Sequence, residues 1–115
     1  MYKFSYAEIM EDSSTEARGR ERDAFDRAIE LLVAAEAAGP TSMESQAAVI
    51  YLQRLWGILI RDLAEPTNEL ASNLRADLIS IGLWVIKEAD QIIQERSNNS
   101  AGLIAVNRSI RDGLQ

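Results

Sequence analysis

The chain reads as an all-α fold: a small antiparallel bundle of three long helices, with a short C-terminal helix and an N-terminal arm. Three observations predict it. Leu, Ile, Val and Trp recur three and four residues apart over long stretches, the period of a helix face. Two stops, Gly39-Pro40 and Glu65-Pro66, divide the chain, because proline cannot continue a helix and the residue before it avoids helical geometry. The connections are short, which makes successive helices antiparallel neighbours. With 115 residues, 47% of them hydrophobic, the chain is expected to form one domain over residues 1–115 with a slim core.

Residues 1–12 form the arm. Tyr2, Phe4 and Tyr6 alternate at period two, an extended pattern, while Ser5-Tyr-Ala-Glu8 offers the other possibility of a capping box that starts one helical turn. The first long helix is expected from Ser13 or Ser14, over about 14–38, with Phe25, Ala28, Ile29 and Leu32 on its inner face and Asp23, Asp26, Arg27 and Glu30 opposite. Gly39 suits the position just past its end. The second helix, about 42–64, opens with the capping box Thr41-Ser-Met-Glu44. It turns Ala48, Leu52, Leu55, Trp56, Leu59 and Leu63 inward, with Val49 and Ile60 widening one side and Tyr51 and Ile58 the other. A helix apolar over more than half its circumference is central in a bundle or covered by a partner.

The third helix, about 68–96 and starting at Ser72 if its first turn is separate, lines up Leu70, Leu74, Leu78, Ile81, Val85, Ala89 and Ile92, with a second ridge of Ile79, Ile86 and Ile93 about 100° round. Two ridges imply two neighbours. After the turn cluster Ser97-Asn-Asn-Ser100, a short helix over about 101–112 carries Leu103, Val106, Ile110 and Leu114 in one stripe, with Ile104 beside it.

Composition excludes much. There is no His and no Cys, so imidazole bases, thiol nucleophiles, disulfides and His- or thiolate-based metal sites are not available. The eighteen acids fall almost entirely on polar helix faces, and no glycine-rich phosphate loop is present. A non-enzyme without cofactor is expected; a deep closed pocket lined by paired acids would reverse that. The net charge of -6, with arginines interleaved among acids, argues against direct nucleic-acid or anionic-membrane binding. The N-terminus lacks the apolar core of a signal peptide, and the longest apolar run, Ile81 to Ile86, falls far short of the ~20 residues that cross a bilayer. A cytoplasmic protein is expected.

The aromatic and small residues are more informative. Trp56 belongs to the core face of its helix. Trp84 falls on the polar side of the third helix near Asn73, Asp77, Ser80, Lys87 and Gln91, so either a terminal segment or a partner packs on it. Gly57 and Gly82 interrupt strong helices at a cost of ~1 kcal/mol each relative to Ala. Close approach of another backbone, from inside the bundle or from a bound peptide, is the expected compensation.

Five blocks, in order, carry a family resemblance: Tyr2-Lys-Phe-Ser-Tyr-Ala-Glu-Ile9; Asp26-Arg-Ala-Ile-Glu-Leu-Leu32 with Ala35-Glu-Ala-Ala-Gly-Pro40; Leu55-Trp-Gly-Ile-Leu-Ile-Arg-Asp-Leu63; Leu78-Ile-Ser-Ile-Gly-Leu-Trp-Val-Ile86; and Asn107-Arg-Ser-Ile-Arg-Asp-Gly-Leu114. Together they resemble FlaF, a family of small flagellar proteins of alphaproteobacteria. The resemblance implies a cytoplasmic factor for flagellin production and export, with flagellin and the regulator FlbT as partners and no catalytic residues. Two mechanisms fit it. The bundle binds unassembled flagellin as a chaperone for synthesis and secretion, or it acts with FlbT as a post-transcriptional adaptor controlling flagellin translation. For the first, Tyr2, Phe4, Tyr6, Ile79, Trp84 and Ile86 are the expected borders of one apolar groove that accepts a helix. Oligomeric state is left open by the sequence.

Overall fold

The structure, a computed structural model, describes residues 6–113, with side chains from residue 19 onward. All regular structure among the described residues is helical: α1 (Tyr6–Ala38), α2 (Met43–Ala64), α3 (Ser72–Ile93) and α4 (Ser100–Asp112). The helices run up, down, up, down around one core. α2 packs along α1 and α3, whereas α4 leans on α1 and touches α3 only lightly.

α1 differs from the sequence expectation. Its backbone is helical from Tyr6, so residues 6–12 continue the helix and are not an extended arm. The reason is local: no proline and only one glycine, Gly19, lie between Tyr6 and Ala38, so nothing forces a break at Ser13. Tyr2 and Phe4 lie outside the described residues. At ~1.5 Å per residue, the 33 residues of α1 span ~50 Å against ~33 Å for the 22 of α2, so its N-terminal portion overhangs the bundle. That overhang accounts for the 54 Å long dimension of the molecule.

The helix ends follow from specific side chains. Gly39, at φ 100°, closes α1 in the left-handed region, and its amide donates to the Ala35 carbonyl at 2.9 Å. The α2 cap is Ser42, not Thr41: its hydroxyl accepts the Ser45 amide at 3.1 Å, while Ser42 and Ser45 hydroxyls both donate to the Gly39 carbonyl at 2.6 Å.

α3 begins at Ser72, the later of the two expected starts, because Asn68 is occupied with the turn. Its side chain accepts the Leu70 amide at 3.0 Å and donates to the Asp62 carbonyl at 3.2 Å. α3 ends at Ile93 and not near Arg96. The amides of Arg96 and Glu95 fold back to the carbonyls of Gln91 (2.9 Å) and Ile92 (3.0 Å), a Schellman closure with Glu95 at φ 58° in the place glycine usually takes. Asn99 then caps α4 by accepting the Gly102 amide at 3.2 Å.

Trp56 is the hub of the core. It is 1% exposed and meets Phe25 of α1 edge-on, with ring centroids 5.6 Å apart at 75°. Its indole N–H donates to Asn107 Oδ1 of α4 at 3.0 Å, and Asn107 Nδ2 donates to the Leu103 carbonyl at 2.8 Å. A Cβ built on Gly82 of α3 would lie 2.6 Å from the same ring. One side chain thus touches all three other helices and reaches across the diagonal that the backbones of α2 and α4 leave open.

Around it are buried Ala28, Ile29, Leu32 and Ala35 of α1; Ala48, Val49 and Leu52 of α2; Val85, Ala89 and Ile92 of α3; and Leu103 and Ile104 of α4. The α4 core face is rotated from the expected stripe: Leu103, Ile104 and Asn107 are buried, while Val106 and Ile110 are half-buried. The two glycines separate. Gly82 compensates for its flexibility by close packing on Trp56; Gly57 has no atom within 4 Å of an added Cβ, so internal backbone approach does not explain it.

Candidate functional site

The open feature of the bundle is the seam between α3 and α4. α4 has 13 residues against 22 for α3, so it cannot cover the full apolar stripe of its neighbour. Arg111 ties it to α1 through Asp26 at 3.2 Å, and the Ser97 hydroxyl donates to Glu88 at the far end of α3. Clamped at these places, α4 leaves its Val106 and Ile110 edge facing Ile81 and Leu78 across a gap.

Two concavities lie along it. A shallow groove of about 360 Å³ is lined by Ser80, Ile81 and Trp84 of α3 and Val106 of α4. One turn along each helix, an end pocket of about 160 Å³ is lined by Leu78, Ile110, Leu59, Leu63 and Leu70, with Phe25, Trp56 and Asn68, and with Glu21 and Asp62 as its charged groups. Leu74, on the same face of α3, is 45% exposed, and Leu70 is similarly open. Leu70, just before α3, and Leu74 in its first turn thus carry apolar surface past the core at this end.

Trp84 is 38% exposed and forms one wall of the groove, with α4 supplying the other. Of the two sources of packing considered from the sequence, the terminal helix α4 borders the groove beside the indole, and part of the indole stays open. Ile79 and Ile86 need correction. They are half-buried on the α2 side of α3, with Ile86 packed against the core. At 100° per residue they sit about 140–160° round the helix from Trp84, so one groove cannot include all three. Tyr2 and Phe4 lie outside the described residues, as does the Tyr6 side chain, although its backbone starts α1.

The α2–α3 flank carries its own apolar surface. Leu83 is 56% exposed beside the Ile79/Ile86 ridge, and Ile50 of α2 is similarly open.

The end pocket has a distinct electrostatic character. Glu21 is held above its ordinary carboxyl range, first by burial and then by the charge of Asp62, with Arg20 easing it only partly. The nearby arginines are committed elsewhere: Arg75 donates to the Leu63 and Glu65 carbonyls at 3.3 and 3.0 Å, and Arg111 to Asp26 and Asp112. Glu21 and Asp62 are the two carboxylates of a partly open pocket. Asp62 is exposed, and the volume lies below the ~300–1,000 Å³ of small-molecule sites. Among the described residues, no group of three or more acids is arranged to hold a metal ion, and no helix is long and apolar enough to cross a membrane.

Sequence reasoning missed Leu70, Leu74, Val106 and Ile110 as open surface, and Glu21 and Asp62 as pocket groups. The length mismatch between the third and fourth helices was the signal available for the first four. Nothing local pairs Glu21 with Asp62, which are 41 positions apart (62 − 21).

A protein-family model described as flagellar protein FlaF matches residues 2–114. Neither the curated proteins nor the solved structures give a significant match.

Proposed function

The chain belongs to the FlaF family of flagellar proteins, and from that premise we propose that it is a non-enzymatic binding protein whose α3–α4 seam receives an amphipathic helix of flagellin. The observation that carries this reading is the half-exposed Trp84 at one end of an apolar groove that the short α4 leaves uncovered. An amphipathic helix laid into such a groove buries its apolar face against i, i+3 and i+4 positions. An indole at the margin is a typical anchor, since it buries large area at low entropy cost. In the cytoplasm, this contact would hold unassembled flagellin as a chaperone until export.

The second apolar flank, with Ile50 and Leu83, supports a further reading. An adaptor that couples flagellin to translational control needs a face for a second protein such as FlbT, and the α2–α3 flank lies on the opposite side of α3 from the groove.

Co-expression with flagellin, followed by affinity capture and size exclusion, tests both. Trp84→Ala and Leu74→Ser are open enough to leave the fold intact, and each is expected to weaken flagellin capture; loss of a Trp anchor is worth ≥2 kcal/mol, or about 30-fold. Leu83→Ser should spare flagellin and weaken FlbT. Removing residues 1–5 measures the contribution of Tyr2 and Phe4 separately. Folded Trp84 and Leu74 variants with wild-type flagellin affinity rule this groove out.

A further inference from the structure

The groove and the end pocket differ in one respect: only the pocket has charged lining groups, and both are acidic, Glu21 and Asp62. Its walls include Leu59, Leu63, Leu70 and Leu78, so a side chain entering it meets hydrocarbon with two carboxylates in the same lining. A cavity of about 150 Å³ lined by Leu, Ile and Phe is known to hold a benzene-sized group. The 160 Å³ here is similar, enough for a long aliphatic stem. Lysine and arginine have that build, an apolar stem with a cationic head.

We propose that the end pocket receives the arginine or lysine of a helix docked in the α3–α4 groove, with Glu21 and Asp62 as its counter-charges. The proposal rests on the reading of that groove as a helix receptor and adds what the helix must carry. Charge favours it at two scales: the chain has a net charge of -6, and the pocket lining contains no cation. Arg20 lowers the proton affinity of Glu21 by less than burial and Asp62 raise it. Arginine suits the site better than lysine, because its planar fork can address two carboxylates at once.

The test uses three 18-residue amphipathic helical peptides, identical except for Arg, Gln or Glu at one end of the apolar face, together with the set carrying the change at the other end. Affinities are read from labelled-peptide anisotropy at low and high salt. For one end placement, the Arg peptide is expected to bind at least tenfold tighter than the Glu peptide at low salt, with the ratio shrinking in high salt. Glu21→Gln combined with Asp62→Asn should erase the ratio, and Asp62→Lys should invert it. Trp84→Ala should weaken all peptides alike and keep the ratio.

Equal affinities for Arg and Glu peptides overturn the proposal, as does a ratio that survives the double substitution, or no measurable binding by any peptide. The outcome is separable from the flagellin experiment. Peptide selectivity without flagellin capture sinks the flagellin reading alone, and flagellin capture without peptide selectivity sinks this one alone.

Discussion

Replacing Gly82 by alanine sets two opposing effects against each other, and the geometry decides between them. In an exposed helix interior the change gains ~1 kcal/mol, since glycine is the worst helix former after proline. At Gly82, however, the new Cβ would lie 2.6 Å from Trp56 Cε3 and 3.0 Å from two carbons of Ile60. Comfortable carbon contacts are ~3.5–4.0 Å, so the indole or α3 must move by about 1 Å. Ile60 can change rotamer. The indole cannot move freely, because Phe25 stands against it and its N–H is bonded to Asn107 at 3.0 Å. Overpacking of this kind costs ~1–3 kcal/mol, and a stretched buried hydrogen bond adds up to ~1 kcal/mol. The net expectation is destabilisation by about 0–3 kcal/mol after the propensity gain is subtracted.

Gly57→Ala is the internal control. It sits in the middle of a long helix with nothing within 4 Å of the added Cβ, and should stabilise by ~0.5–1 kcal/mol. Urea denaturation followed by far-UV circular dichroism gives both numbers, and fluorescence of the buried Trp56 reports any displacement of the ring. A Gly82→Ala protein as stable as Gly57→Ala would refute the close-packing argument.

Three further changes have signed expectations. Asn107→Leu keeps roughly the side-chain size but leaves the Trp56 N–H buried without an acceptor; the denaturation midpoint should fall by the equivalent of ~1–3 kcal/mol, and an unchanged midpoint would mean the bond contributes nothing. Glu95→Gly relieves a left-handed residue at φ 58°, which costs ~1–2 kcal/mol for a residue with a Cβ, so after the entropy penalty of glycine a gain of about 0.5–1 kcal/mol is expected in thermal unfolding. Glu21 has its proton affinity raised in the fold from the ordinary 4.5 by burial and Asp62. Its favourable protonated contribution is therefore present below pH 4.5 and lost as pH rises through the higher folded value. Glu21→Gln should accordingly unfold at a higher temperature than the parent at neutral pH and lose that advantage below pH 4.5; equal advantages at both pH values would contradict this.

The family resemblance and the helical bundle were legible because their signals are local. The inner face of α1, through Phe25, Ala28, Ile29 and Leu32, follows from 3.6-residue periodicity, and Gly39-Pro40 stops a helix whatever surrounds it. Trp84 was singled out because an indole among Ser80, Asp77 and Lys87 conflicts with the polarity of its own helix face. The groove itself was drawn wrongly. Ile79 and Ile86 look like partner surface in a list of apolar positions, but both are half-buried and Ile86 packs against the core. Turn geometry decided the helix ends: the Asn68 side chain holds the turn before α3, and a left-handed backbone at Glu95 closes α3 earlier than expected.

Periodicity, helix stops and the absence of imidazole and thiol chemistry are properties of neighbours along the chain, so the sequence alone determined the helices, their inner faces and the classes of catalysis ruled out. Which apolar residues stay open depends on the lengths and tilts of helices packed together. Only the tertiary structure could decide that α4 is too short to close the seam, that Asn107 enters the core to meet Trp56, and that Glu21 and Asp62 share one pocket. Those are distances between residues remote in sequence, and no local propensity encodes them.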